Sequence, residues 1–269
     1  MVANYSKKPV EGEACISVVT EDGVVLYRNT FDVACPNGRL TELTSQHVVL
    51  DSSQAVSATV IFEIPKASLR NHWKIWIYPS LDEMDLTSID NDDQILLVNE
   101  WDQEAEQWLK EGKDVLYIHP YDRVTENGCK GSVTTQFWNP LMKPQETKNG
   151  IMCDPKHPLF REFPTDSYTN YQWWEILKES RFMYMDDLPR EFFPIVQIVP
   201  GIKDNRKMGL IWECKTENGR VFICTADLRS CENRPAAKQL QYSILKYMKS
   251  TDFHPKQEIT LQELRDVFR

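Results

Sequence analysis

The sequence lacks an apolar run of the about 20 residues that a transmembrane helix needs. Its opening residues, MVANYSKKPVEGEA, also lack the apolar core of a signal peptide. No run of basic residues occurs, and a net charge of −9 opposes binding to nucleic acids or anionic membranes. We therefore expect no membrane insertion and no nucleic-acid partner. The compartment stays open: cytoplasmic for a complete protein, periplasmic or secreted for a fragment of a longer enzyme.

The cysteines lack the spacing of a disulfide scaffold or a zinc site. There are seven, an odd number, and none forms a CxxC pair. A chain of this length does not depend on disulfides for its core, so free and mostly buried thiols are the expectation. Their positions are Cys15, Cys35, Cys129, Cys153, Cys214, Cys224 and Cys231.

The N-terminal part of the sequence has the pattern of β-strands. Two apolar runs flank Glu21-Asp22-Gly23, and Asp-Gly between such runs predicts a hairpin. Residues 56–64, VSATVIFEI, alternate between apolar and other side chains, which indicates a half-buried strand. We therefore predict that residues 1–70 form a β-sandwich portion of immunoglobulin type, although with fewer strands than the about seven of a complete sandwich.

After Pro65 the pattern changes to alternating strands and helices. Apolar runs such as DVLYI predict buried strands, and WDQEAEQWLKEG and PAAKQLQYSILKYMK predict helices. Such alternation favours a mostly parallel sheet covered by helices. We therefore predict an α/β domain over residues 71–269.

Three segments carry a resemblance to a known family. They are the Gly150–Leu177 stretch, with its HP corner and double tryptophan, NHWKIWIYPS over Asn71–Ser80, and AAKQLQYSILKYMKSTDFHP over Ala236–Pro255. Together they resemble the C-terminal accessory region of family 2 glycoside hydrolases, the β-galactosidase-like enzymes of gut bacteria. The resemblance implies a late β-sandwich followed by a flavodoxin-like, class I glutamine amidotransferase-like α/β domain. It also implies a module without the hydrolase active site and without a cofactor.

Three constellations could carry chemistry, but each has a plainer explanation. Glu100 follows Asn99 as the acid/base does in family 2 enzymes, yet the chain leaves too little room for a barrel of about 250 residues. Cys153 and His157 could form a thiol site, but the glycines of a nucleophile elbow are missing. With Asp154 they could also hold a metal, but no second ligand cluster follows. We therefore expect no catalytic and no metal-binding residue.

Sugar contacts are a further hypothesis. Saccharides pack their apolar faces on exposed aromatic rings, while carboxylates and amides bind their hydroxyls. The segment 166–174 is rich in aromatic residues and in polar residues that could bind hydroxyls, although core packing or a domain interface is the plainer explanation. His119 and Asp122 end a central strand, where open α/β sheets bind ligands. The candidate carbohydrate-binding residues are therefore Trp138, Asp166, Tyr168, Trp174, His119 and Asp122.

These observations favour a non-catalytic accessory module of a glycoside hydrolase, with a structural or carbohydrate-contacting role. Its expected partner is a catalytic barrel domain or a second copy of the chain, with a glycan as a further ligand. Two alternatives stay open. The chain could be a free-standing hydrolase that uses the cleft of the α/β domain, or an independent carbohydrate-binding module.

Overall fold

The structure is a computed structural model that describes residues 1–80, 93–133, 148–201, 205–229 and 234–269. The chain divides into two compact units, Met1–Ser80 and Leu81–Arg269. The predicted boundary after residue 70 falls inside a strand, Leu69–Ile77, which pairs along its whole length with Val56–Ile64. The first unit therefore extends beyond residue 70 to Ser80.

The first unit consists of β-strands. Four of them form an antiparallel sheet in the order β3-β2-β5-β6, and β1 pairs with β4. The strands are β1 (Val2–Asn4), β2 (Val10–Thr20), β3 (Val25–Cys35), β4 (Arg39–Thr41), β5 (Val56–Ile64) and β6 (Leu69–Ile77).

Both β predictions for this unit are confirmed. β2 and β3 form the hairpin predicted around Asp22-Gly23, and Gly23 takes the left-handed backbone conformation, φ 88°, that favours glycine in a turn. In β5 the alternating apolar residues contribute to two apolar clusters of this unit. These residues are Val56, Ala58, Val60, Phe62 and Ile64.

The second unit holds the remaining strands and four helices of the described residues. Its strands are β7 (Ile95–Val98), β8 (Asp114–Ile118), β9 (Gly128–Lys130), β10 (Gly150–Cys153), β11 (Arg181–Tyr184), β12 (Val196–Val199), β13 (Met208–Thr216) and β14 (Gly219–Cys224). Its helices are α1 (Gln103–Lys110), α2 (Tyr171–Leu177), α3 (Pro235–Met248) and α4 (Leu261–Val267). Among the described residues, no helix is both long enough and apolar enough to span a bilayer.

The predicted fold class is wrong. The sheet of the second unit runs in the order β10-β12-β13-β14-β8-β7, and only the pairs β14-β8 and β8-β7 are parallel. β11 joins β13 and β9 by antiparallel pairing. The fold is therefore mostly β with a mixed sheet, not a flavodoxin-like or class I glutamine amidotransferase-like parallel sheet flanked by helices.

The reason for this error is a short connection. Only Glu217 and Asn218 separate the last paired residues of β13 and β14, Thr216 and Gly219. So short a link forces antiparallel neighbours, because a parallel pair needs a crossover of about a dozen residues or more. Apolar composition predicts that a segment such as β8 is a buried strand, but it does not reveal the direction of the strand.

The ends of α1 and α4 follow the general rules of helix capping. Asp102 caps α1 by accepting a hydrogen bond from the Ala105 backbone N–H, and Gly112 after the helix has φ 80°. Thr260 and Glu263 form a capping box at the start of α4. The apolar faces of α1 and α4 pack into one core together with alternate residues of β8, β13 and β14.

The two adjacent tryptophans of α2 have opposite environments. Trp173 is fully buried, its indole N–H donates to Thr165 Oγ1 at 2.6 Å, and Phe163 packs edge-on against its ring. Trp174 is 42% exposed. Consecutive helical side chains point about 100° apart, so one tryptophan docks α2 while the other faces solvent.

We expect the two truncations to differ in stability. Trp173→Ala should lower the free energy of unfolding by about 3–5 kcal/mol, because it leaves a large cavity in the core. Trp174→Ala should change it by about 0.5 kcal/mol or less, as is usual at exposed positions. Denaturant midpoints of the two variants provide the measurement, and equal losses would contradict the assignment of their environments.

Candidate functional site

The candidate residues from the sequence fall in different places. Asp166, Tyr168 and Trp174 lie in one segment that begins beside β10, where Tyr168 forms an isolated antiparallel bridge with Met152. His119 and Asp122 follow the end of β8 instead. Trp138 lies outside the described residues.

His119 has a structural environment. It is fully buried, and its Nδ1 accepts a hydrogen bond from the Tyr117 hydroxyl at 2.7 Å. Its Nε2 lies 3.1 Å from the Arg123 carbonyl oxygen, which requires the proton on Nε2. Burial lowers the pKa of His119, which favours the neutral ring. Both nitrogens are thus engaged within the protein, and His119 is poorly placed to bind a ligand.

Asp122 lines a small cavity of about 370 Å³ at the carboxyl ends of the parallel strands. Asp227 lies in the same wall, and its carboxylate accepts a hydrogen bond from the Tyr121 backbone N–H at 3.0 Å. Asp122 therefore does contact a cavity, but His119 does not line it with Asp122.

The segment around Asp166 is held against β10 by polar contacts. The Cys153 thiol donates to the Asp166 carbonyl oxygen at 3.3 Å. The Asn170 side chain donates to the Asp166 carboxylate at 3.1 Å, and its own oxygen caps α2 by accepting from the Trp173 N–H. These bonds fix the loop that presents Tyr168 and begins α2.

Three aromatic side chains of this segment face solvent. Tyr168 is 61% exposed, Tyr171 74% and Trp174 42%. Tyr171 and Trp174 are three residues apart on α2 and therefore share a face. We call Tyr168, Tyr171 and Trp174 the aromatic platform. Large rings normally favour burial, so three exposed in one short segment make it a candidate contact surface.

A larger cleft opens beside Met152, the bridge partner of Tyr168. It has a volume of about 790 Å³, and we call it the Glu213 cleft after the acidic residue in its wall. Met152 and Phe193, which are 52% and 61% exposed, contribute apolar surface. Cys153, His157 and Tyr247 also line it.

Glu213 is the unusual residue of this cleft. It lies in β13 between Trp212 and Cys214, whose side chains belong to the core formed with α1 and α4. Strand alternation turns Glu213 to the opposite face of the sheet. There it is only 8% exposed, and Tyr247 of α3 donates its hydroxyl hydrogen to Glu213 Oε2 at 2.9 Å.

Burial raises the pKa of Glu213 to about 7, well above its ordinary value of 4.5. The hydrogen bond from Tyr247 and the charge of Arg220 act in the opposite direction but do not compensate. The reason is visible for Arg220, whose guanidinium donates two hydrogen bonds to the Asp114 carboxylate, at 2.7 and 2.5 Å. Near neutral pH, Glu213 can therefore exchange a proton.

His157 packs beside Tyr247, the hydrogen-bond partner of Glu213. The His157 ring lies 5.4 Å from the Tyr247 ring, and its Nδ1 accepts a hydrogen bond from the Leu159 N–H at 3.2 Å. This leaves Nε2 to carry the proton of the neutral ring. Burial lowers the pKa of His157, so the neutral form is favoured.

Cys153 has the surroundings of a structural thiol. Burial raises its pKa to about 12, and the charges of Asp154 and Asp166 act in the same direction. Glu100, the other tempting catalytic residue, forms an exposed ion pair with Arg123 at 2.9 Å. In the described part of the chain, no group of three or more His, Cys, Asp and Glu side chains could hold a metal ion.

Sequence reasoning missed Glu213 and Tyr247. A signal was present in the run MGLIWEC, where one glutamate interrupts an otherwise apolar strand. A charged residue in a strand that is buried on both faces is costly unless it is paired or functional. Its partner on α3 could not be found in the same way, because Tyr247 fits the apolar stripe of that helix.

Comparison with known families assigns the second unit. A family described as a domain of unknown function, DUF8487, matches residues 96–269, and the chain therefore belongs to that family. A second domain of unknown function, DUF8488, matches residues 1–79. The curated proteins include no match to the chain. These comparisons do not link the chain to family 2 glycoside hydrolases.

The ionisation of Glu213 should make stability depend on pH. Because its folded pKa, about 7, exceeds the ordinary 4.5, its contribution is fully present below pH 4.5 and is lost as pH rises through 7. Relative to the wild type, Glu213→Gln should gain about 2–3 kcal/mol of stability between about pH 5 and pH 8. Urea unfolding at both pH values measures this, and a difference independent of pH would refute it.

Cys153 should react slowly with thiol reagents. At neutral pH, a thiol of pKa about 12 is almost entirely protonated and therefore a poor nucleophile. Labelling with Ellman's reagent should be slow in the native protein and rapid in guanidinium chloride. Cys153→Ser identifies its share of the signal, and a fast native phase that disappears in this variant would show an activated thiol.

Proposed function

We propose that the chain is a non-catalytic accessory module of a glycoside hydrolase and that it contacts carbohydrate through the aromatic platform. The observation that carries this proposal is the solvent exposure of Tyr168, Tyr171 and Trp174 in one short segment. The sequence resemblance supplies the hydrolase context, and the chemistry of the platform supports the ligand class.

An aromatic platform suits a saccharide for a physical reason. One face of a pyranose ring is lined by C–H groups and packs on an indole or phenol ring, while its hydroxyls need polar partners. Asp166 and Asn170 supply a carboxylate and an amide within the same segment. The Lys178 ammonium lies over the Trp174 ring, 5.5 Å from its centre, and adds a hydrogen-bond donor beside the platform.

The proposal assigns no catalytic role to the platform. Glycoside cleavage needs two carboxyl groups about 5–5.5 Å or about 6.5–9.5 Å apart around the scissile bond. Asp166, the carboxylate beside the platform, already accepts a hydrogen bond from Asn170, and its segment is anchored to β10. These constraints fit a rigid binding surface better than a proton-transfer site.

A catalytic barrel domain or a second copy of the chain is the proposed protein partner. Binding to a barrel would bring the platform close to bound substrate, whereas self-association would give a bivalent glycan surface. Sedimentation of the chain alone and with a family 2 barrel domain distinguishes these partners.

The second candidate function is a free-standing hydrolase that uses the Glu213 cleft. Its support is a buried carboxyl whose pKa, about 7, suits a general acid. Turnover of aryl galactosides by the chain alone would favour this candidate over the accessory module. Loss of that turnover in Glu213→Gln would assign the catalysis to the cleft.

Glycan binding tests the accessory proposal directly. Trp174→Ala should weaken binding on a glycan array and in calorimetry by about 1–1.5 kcal/mol, roughly tenfold in Kd, because one stacking ring is lost. Tyr5→Ala is the matched control, since Tyr5 is also exposed, at 88%, but lies in the first unit. Equal binding by wild type and Trp174→Ala, or the absence of any bound glycan, would overturn the proposal.

A further inference from the structure

We propose that the Glu213 cleft is a second saccharide contact, in which ligand hydroxyls donate hydrogen bonds to the Glu213 carboxylate and binding is thereby coupled to its ionisation. This inference rests on the proposed function, because it concerns the same class of ligand. It adds a site and a pH dependence that the aromatic platform does not provide.

The first step concerns the carboxylate oxygen of Glu213 that Tyr247 does not bind. Glu213 Oε2 accepts the hydrogen bond from Tyr247 at 2.9 Å. Within the described part of the chain, Tyr247 is the only side chain found to donate to Glu213. Oε1 is therefore left to accept from a molecule in the cleft that Glu213 lines, where a ligand hydroxyl would take the place of water.

The second step is the shape of the site. A volume of about 790 Å³ lies within the about 300–1,000 Å³ of ordinary small-molecule sites. Met152 and Phe193 present apolar surface in its wall, while Glu213 and Gln197 present polar atoms. A pyranose has this same division, with C–H groups on its faces and hydroxyls around its edge.

The third step is charge. Besides Glu213 and Tyr247, the cleft wall carries ionisable groups of both signs: Asp154, His157, Asp252, His254 and Lys256, together with the Cys153 thiol. Arg220 also acts on Glu213 but is bound to Asp114. Because the wall carries both signs, it favours neither a strongly anionic nor a strongly cationic ligand. A neutral, hydroxyl-rich ligand can use both as hydrogen-bond partners.

The direction of the pH effect follows from the hydrogen bonds. Hydroxyls that donate to a carboxylate stabilise its ionised form, so binding favours deprotonated Glu213. With a pKa of about 7, the ionised fraction is about a tenth at pH 6 and about nine tenths at pH 8. Affinity should therefore rise about ninefold to tenfold over this range, since only the competent fraction binds.

Two substitutions separate the contribution of Glu213 to binding from the contributions of His157 and His254, which also line the cleft. Glu213→Gln keeps the size of the side chain but cannot ionise, so it should weaken binding and remove the pH dependence. Tyr247→Phe removes a hydrogen bond that lowers the pKa of Glu213, so it should move the midpoint of the pH dependence upward. Glu258→Gln is the matched control, because this exposed carboxylate lies close to cleft residues in sequence.

The experiment is calorimetry with lactose, cellobiose, maltose and xylobiose, each at pH 6, 7 and 8. We expect at least one disaccharide to bind the wild type about tenfold more tightly at pH 8 than at pH 6, with a flat profile in Glu213→Gln. Circular dichroism of each variant checks the fold.

The outcomes distinguish the two proposals. Binding that weakens in Trp174→Ala but keeps its affinity and pH profile in Glu213→Gln would overturn the cleft inference and leave the platform intact. A wild type that binds none of the four sugars, and no glycan on the array, would overturn the proposed function and this inference with it. A pH profile that persists in Glu213→Gln would assign the coupling to another group and also refute the inference.

Discussion

The two-residue connection between β13 and β14 is the constraint on which the second unit depends. It makes the two strands antiparallel neighbours, and β12 pairs with the other edge of β13. β11 pairs with Met208 and Gly209 at the start of β13, on the edge opposite β12. β14 in turn pairs in parallel with β8. A single hairpin therefore joins the parallel and antiparallel parts of the sheet, and its strand β13 carries core residues on one face and Glu213 on the other.

The aromatic cluster on the α3 side explains how a buried carboxyl is tolerated there. The rings of Phe222, Phe253 and His157 lie between 5.4 and 6.0 Å from the Tyr247 ring. These contacts fix Tyr247, so its hydroxyl can meet the carboxylate without a further loss of side-chain freedom. The cost of burying Glu213 is thus partly offset by a donor that packing has already oriented.

Local pattern predicted the elements of this chain well and their arrangement poorly. The hairpin at Gly23, the strand Val56–Ile64, the capping box at Thr260 and the helix ending before Gly112 each depend on neighbouring residues, and each is present. Strand direction depends instead on which distant segments pair. The apolar residues of β12 and β13 are compatible with parallel and with antiparallel pairing. The candidate site shows the same division, since Tyr168 and Trp174 stand out in sequence while the Glu213–Tyr247 pair spans α3 and the sheet.

The neighbouring tryptophans of α2 have a consequence for how this family can diversify. Trp173 anchors the helix, and Trp174, one residue later, faces solvent. Folding constrains the first position, whereas the second can vary without loss of the fold. A substitution at position 174 therefore changes the protein surface and leaves the core intact, whereas a substitution at position 173 changes the core itself.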